Sequence, residues 1–160
     1  MKVTFNTNLE ARARKASENA AKAIFEEINR RFQDAMTAKV WQWPRVTIRG
    51  RTYRRNGSRS KGKPVGSPRN IVDFGALMRS NSGPKISGLK VEYRWRERYA
   101  RAVHNGAMIY PWGNKKAKKV LLPARPWTSA VLGTVKVSGI EPYDMGKRFS
   151  EEWLVYFKKS

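Results

Sequence analysis

With 160 residues, the chain is long enough for one domain with a buried core. Its 34 Lys and Arg against 12 Asp and Glu leave a formal net charge of +22, which opposes compaction and points to a polyanionic partner, nucleic acid first. The absence of cysteine and the single histidine, His104, exclude a disulfide scaffold, thiolate catalysis, a Cys-ligated metal and a multi-histidine metal site.

The chain opens on Met1-Lys2-Val3-Thr4-Phe5-Asn6 without a following apolar h-region, so no signal peptide is read. No apolar run approaches the ~18 residues of a membrane span. Thr7-Asn8-Leu9-Glu10 has the pattern of a capping box. Leu9, Ala13, Ala16, Ala20, Ile24, Ile28, Phe32 and Met36 then recur every three or four residues and draw one apolar stripe. Glu18, Lys22, Glu26, Arg30 and Asp34 alternate in sign on the other face. A helix is predicted from residue 8 to residue 38.

After Pro44, the segment Val46 to Tyr53 alternates as a strand, with Val46 and Ile48 inward. Residues 55–69 mix Gly, Pro and Ser with basic side chains and show no apolar period, which predicts a mobile loop. Asp73 is placed to cap a short helix through Gly75 to Ser80. Leu89, Val91, Tyr93 and Trp95 alternate with Lys90, Glu92, Arg94 and Arg96, the period of a half-buried strand. Glu97 to Val103 predicts one or two helical turns ended by Asn105-Gly106. Ala107 to Trp112 and Lys119 to Leu122 predict a hairpin. Pro123 and Pro126 stop its second strand, and Pro126 opens a short helix from Trp127 to Leu132. Met145, Phe149, Trp153 and Phe157 stand four apart on a C-terminal helix over 141–160. The expected fold is a single α+β domain over 1–160, its two terminal helices packed on a small, mostly antiparallel sheet.

No catalytic set is expected. Glu26-Glu27 and Glu151-Glu152 are adjacent on helices, so the two carboxylates of each pair point about 100° apart and read as solvated faces. His104 before Asn105-Gly106 reads as a turn or interface residue. Gly57, Gly62 and Gly66 lack the strand-to-helix frame of a phosphate loop. Charge is the stronger signal. Lys39, Arg45, Arg49, Arg51, Arg54, Arg55, Arg59, Lys61, Lys63 and Arg69 all fall between Asp34 and Asp73 with no acid among them. Such a segment tracks phosphates without reading bases, so Arg45 and the eight cations from Arg49 to Arg69 are the expected DNA contacts. Trp41, Trp43 and Tyr53 are expected in the core, with stacking on unpaired bases as the alternative. Lys115, Lys116, Lys118 and Lys119 cluster at the hairpin tip. Six Trp, six Tyr and six Phe are many for a small core, so Trp112, Trp127 and Trp153 are expected in part at subunit interfaces.

Three segments resemble the small tail-completion, or neck, proteins of tailed bacteriophages. Asp73-Phe74-Gly75-Ala76-Leu77-Met78-Arg79-Ser80 is similar to that family's D-T-G-x-L-x-x-S segment, Tyr99-Ala100-Arg101-Ala102-Val103-His104-Asn105-Gly106 to its Y-A-x-x-V-x-x-G, and Pro123-Ala124-Arg125-Pro126-Trp127 to its P-A-R-P-F. Phe74, Trp127 and His104 depart from the usual Thr, Phe and acid. The resemblance implies a virion protein of the head-to-tail connection, made in the host bacterial cytoplasm and assembling as a six-fold ring around the DNA channel. It implies other neck and tail proteins as partners and no enzyme activity, cofactor or membrane. Asp73, Tyr99, Pro123, Arg125, Pro126 and Trp127 become structural or subunit-contact residues. A tail terminator or head-closure subunit is the near alternative. A free phage-encoded nucleic-acid-binding protein is the alternative from another class.

Overall fold

The computed structural model describes residues 7–41, 75–110, 115–116 and 118–159. Helix α1 (Thr7–Met36) is the spine, followed by a 3-10 turn (Lys39–Trp41). A short helix α2 (Ala76–Arg79) leads into strands β1 (Asn81–Ser87) and β2 (Lys90–Trp95). Helix α3 (Ala100–Asn105), strands β3 (Ala107–Ile109) and β4 (Val120–Leu122), helix α4 (Trp127–Val131) and helix α5 (Met145–Lys159) complete the order. The fold is α+β.

The apolar stripe of α1 does what its spacing predicts. Ala16, Ala20, Ile24, Ile28, Phe32 and Met36 are buried, while Glu18, Lys22, Glu26, Arg30 and Asp34 stay exposed. Only the first member, Leu9, faces solvent. Trp41 belongs to the core, its indole N–H donating to the Ala35 carbonyl at 2.6 Å. That favours the core reading over base stacking for this residue.

Among the described residues the strands form two separate antiparallel ladders, β1–β2 and β3–β4. β1 was not expected, because Gly83 and Pro84 give its sequence the look of a turn. Its register with β2 shifts between Asn81 and Pro84, where the irregularity accommodates them. Asn81 fixes this end twice: its amide donates to Asn29 on α1 at 2.7 Å, and its carbonyl oxygen accepts the Gly83 N–H at 2.7 Å. The Tyr93 hydroxyl donates to the Phe25 carbonyl at 2.8 Å. Burial, and then the neighbouring Tyr143, push the Tyr93 phenol up to about 12.

The C-terminal helix packs along α1 instead of on a sheet. The Trp153 indole N–H donates to the Ser17 hydroxyl at 3.0 Å, and Trp153 stacks on Phe157 at 4.7 Å. Arg12 lies over the Phe157 ring and donates to its carbonyl. The helix begins at Met145 rather than at 141, because Asp144 Oδ1 accepts the Lys147 N–H at 2.9 Å and so caps it. At α2 the N-cap position falls on Gly75, not on Asp73. Asp73 itself, the expected strand Val46 to Tyr53, the 55–69 loop, Trp43 and Trp112 lie outside the described residues.

Candidate functional site

Of the residues singled out in the sequence, Arg45, Arg49, Arg51, Arg54, Arg55, Arg59, Lys61, Lys63, Arg69 and Asp73 lie outside the described residues. Tyr99, Pro123, Arg125, Pro126 and Trp127 lie within them, Tyr99 at the start of α3 and the other four around its end. There the chain turns at Gly106 into β3, returns through β4, and passes back under α3 as Pro123-Ala124-Arg125-Pro126. The Arg125 amide is shared between the Val103 and His104 carbonyls, each at 3.1 Å, which satisfies two end-of-helix acceptors at once. A Cβ on Gly106 would meet the Ala124 nitrogen and the Leu122 carbonyl oxygen, both at 3.0 Å. Two of the three family-like segments are therefore pressed backbone to backbone. The third joins them through Leu77, which shares the core with Trp127 while Ala100 and Val103 pack against it.

Pro126 is the N-cap of α4, and Trp127 behind it is 1% exposed. Its ring meets Trp95 at 5.7 Å and His104 at 4.7 Å, both edge to face. Of the two roles expected of Trp127, structural or subunit contact, an indole so enclosed takes the structural one. Trp153 is likewise half-buried between α1 and α5. The Arg125 side chain is 6% exposed, so it is held inside the fold rather than displayed between its prolines. Burial lowers its pKa, yet a guanidinium keeps its charge in such a place. Tyr99 is exposed at the start of α3. Partial burial and then the Glu97 charge raise its pKa, against the pull of Arg79.

His104 sits in a short polar chain. Nε2 is 2.7 Å from the Thr128 hydroxyl and Nδ1 is 2.6 Å from Asn105 Oδ1. Among the described residues no carboxylate completes a triad here, and no group of three His, Asp or Glu side chains is placed to hold a metal. The histidine instead lines an open cleft of about 360 Å³ with Trp95, Ala100, Arg101, Trp127 and Thr128.

A second cluster joins α1 to the start of α5 and the residues just before it. Glu27, expected as a solvated helix residue, accepts from the Tyr143 hydroxyl at 2.9 Å and from Arg31 Nε at 3.2 Å. Arg148 approaches it at 3.7 Å and pairs with Glu151 at 3.0 Å, while the Arg31 guanidinium lies over the Tyr143 ring. Burial works to raise the Glu27 pKa, but the Tyr143 and Arg31 hydrogen bonds and the charges of Arg148 and Arg31 together hold it below its ordinary 4.5. Burial, and then the same bond and charge, push Tyr143 up to about 12. A carboxyl whose pKa is lowered on folding adds stability above the unfolded value and loses it as pH falls through the folded one. Glu27→Gln should cost about 1 kcal/mol at pH 7, a hydrogen-bonded charge discounted for the solvent that reaches it. In urea titrations at a series of pH values, the gap from the native chain should close below pH 4.5. A gap of constant size would show that charge plays no part. Composition gave no hint of this cluster. The nearest signal was the Tyr143-Asp144 step before the last helix, opposite an acid on the longest one.

The β3–β4 hairpin presents one apolar face outward. Met108 and Leu121 are direct cross-strand partners, 57% and 65% exposed. Tyr110 continues that face with Lys119 over its ring at 5.2 Å. Exposed Lys115, Lys116, Lys118 and Lys119 border its far end.

No protein-family model, curated protein or solved structure matches this chain. Among the described residues, no helix is long and apolar enough to cross a membrane.

Proposed function

We propose that this chain is a structural subunit of a tailed-phage neck, a tail-completion or head–tail joining protein. In this reading it forms a ring around the DNA channel in the virion and touches the genome through the basic segment from Arg45 to Arg69 without reading sequence. It carries out no chemistry. The observation that supports assembly most directly is the outward face of the β3–β4 hairpin. Two large apolar side chains paired across strands, extended by Tyr110, form a contiguous patch of the kind that marks protein contact. The packing of the three family-like segments into one unit around Trp127 agrees with this reading. A charge of +22 by itself also fits a free nucleic-acid-binding protein, which would need no such face.

The experiment is to make phage carrying Leu121→Asp and count joined particles against separate heads and tails. Leu121 is 65% exposed, so folding stability should change by less than about 1 kcal/mol. Joined particles should nevertheless fall sharply, and an antibody label on the native subunit should decorate the neck. In a parallel arm, neutralising Arg49, Arg51, Arg54 and Arg55 should weaken binding to any duplex and leave the melting temperature unchanged. If about six phosphates are contacted, log affinity should fall with log salt at a slope near −5, shrinking toward about −2 in that variant. Normal particle yields with Leu121→Asp, and a label absent from the neck, would refute the assembly role.

A further inference from the structure

We propose that the turn joining β2 to α3 carries a DNA contact of its own, an arginine patch on the folded body that grips the phosphate backbone of a duplex. The inference rests on the reading above that this chain touches DNA. It assigns part of that contact to residues outside the Arg45 to Arg69 segment.

The first ground is the placing of the arginines. Arg94 lies near the end of β2 and Arg96 just beyond it, two positions apart and both exposed, as neighbours of period two share a face. The Arg96 amide donates to the Ser80 carbonyl at 3.1 Å, which brings the end of α2, with exposed Arg79, alongside. Arg98 follows in the turn and Arg101 in the first turn of α3, again exposed. Against these five stand Glu92 and Glu97, the only acids from Gly75 to Tyr110.

The second ground is the company these charges keep. On α1 the arginines are matched with acids: Arg14 with Glu18, Arg30 with Asp34 and Arg31 with Glu27, each at 3.1–3.2 Å. At the turn, Arg94 meets Glu92 at 2.6 Å. Among the described residues, Arg96, Arg98 and Arg101 make no ion pair. Like charges gathered without acids repel one another, and a polyanion relieves that repulsion.

The third ground selects the polyanion. A duplex carries one charge per about 1.7 Å of its axis, and neutralising its phosphates releases condensed counterions, a gain that a folded acidic protein does not offer. Guanidinium groups suit phosphate oxygens because their donors form a fixed fork. Tyr99 is the only large apolar side chain exposed from Lys90 to Asn105. The surface therefore lacks the apolar face that seats a protein in a bilayer, and the row of rings on which single strands stack.

The test follows binding of the full chain to a random-sequence duplex by fluorescence anisotropy over a range of salt. Replacing Arg96, Arg98 and Arg101 together by Gln should leave the melting temperature unchanged and weaken binding at least about tenfold. The salt slope should become shallower by about 2–3, near 0.9 for each lost phosphate. Lys at the same three positions keeps the charge, so the native slope should return while affinity stays a few-fold lower for want of the fork. Gln at Arg14, Lys15 and Lys22 takes equal charge from the exposed face of α1 and should move the slope by less than about 1. If the first triple variant does not fold, Arg98→Gln alone decides, with an expected loss of about 0.9 in slope. Equal losses from the two Gln triples would mean that only net charge is read, which overturns the proposal. An unchanged slope without Arg96, Arg98 and Arg101 would overturn it while leaving the DNA reading in place, whereas a native chain that binds no duplex would sink both. Loss of binding to vesicles of phosphatidylcholine and phosphatidylserine, with duplex binding intact, would hand the patch to a lipid surface and overturn it as well.

Discussion

Trp127→Ala is expected to destabilise the chain by about 3–5 kcal/mol, the usual cost of deleting a large aromatic from a core. Trp127 is 1% exposed and stands where α1, β2, α3 and α4 share one cluster, so no neighbour can slide in to fill the space. Trp95 would lose an edge-to-face partner at 5.7 Å and His104 one at 4.7 Å, which adds to the cavity term. A domain of this size is stable by roughly 5–15 kcal/mol, so much of its margin would go. Urea unfolding followed by circular dichroism measures the effect. Trp127→Phe keeps a ring in place and should cost only about 1–2 kcal/mol. If both variants unfold at the native midpoint, Trp127 is not the centre of the core.

The second large effect belongs to Gly106→Ala. Gly106 has φ +77°, a conformation that side chains rarely adopt, and its new Cβ would lie 3.0 Å from backbone atoms of Leu122 and Ala124. Conformational strain costs about 1–3 kcal/mol, and moving a packed strand away adds a similar amount, so about 3–4 kcal/mol is expected in total. Gly88 separates the two contributions. It also has a positive φ, +58°, but nothing lies within 4 Å of its would-be Cβ, so Gly88→Ala should cost only about 1 kcal/mol. Paired thermal melts give both values. Equal losses at the two positions would mean that the close approach of β4 contributes nothing.

Much of this fold is legible in the sequence where a period is long enough to average out local noise. The stripe from Ala16 to Met36 repeats over several turns, and Val91, Tyr93 and Trp95 alternate without a break; both signals gave the right element and the right buried side, except that Leu89, expected inward with them, precedes β2 and is 61% exposed. β1 was illegible because a ladder tolerates Gly83 and Pro84 where its register is irregular, and composition cannot report on register. The candidate site divides in the same way. Pro123 and Pro126 mark the chain's extended passage, but nothing local says that the Arg125 amide will bond to α3 or that its side chain will turn inward. Glu27, Tyr143 and Arg148 meet only because α5 lies along α1. An acid on a mixed-charge helix looks solvated until a distant tyrosine covers it.

The docking of the last helix along the first has a consequence for the order of folding. The contacts between them join Arg12 to Phe157 and Ser17 to Trp153, 145 and 136 positions apart, and Glu27 meets Tyr143 across 116. Such separations give a high contact order and slow closure. On a ribosome adding about 5–20 residues per second, the apolar stripe of α1 waits roughly 6–30 s for the residues that cover this flank. During that interval the nascent chain is an amphipathic helix with its apolar side in water. Chaperone capture should therefore concentrate on the first forty residues, and release should follow the arrival of Trp153.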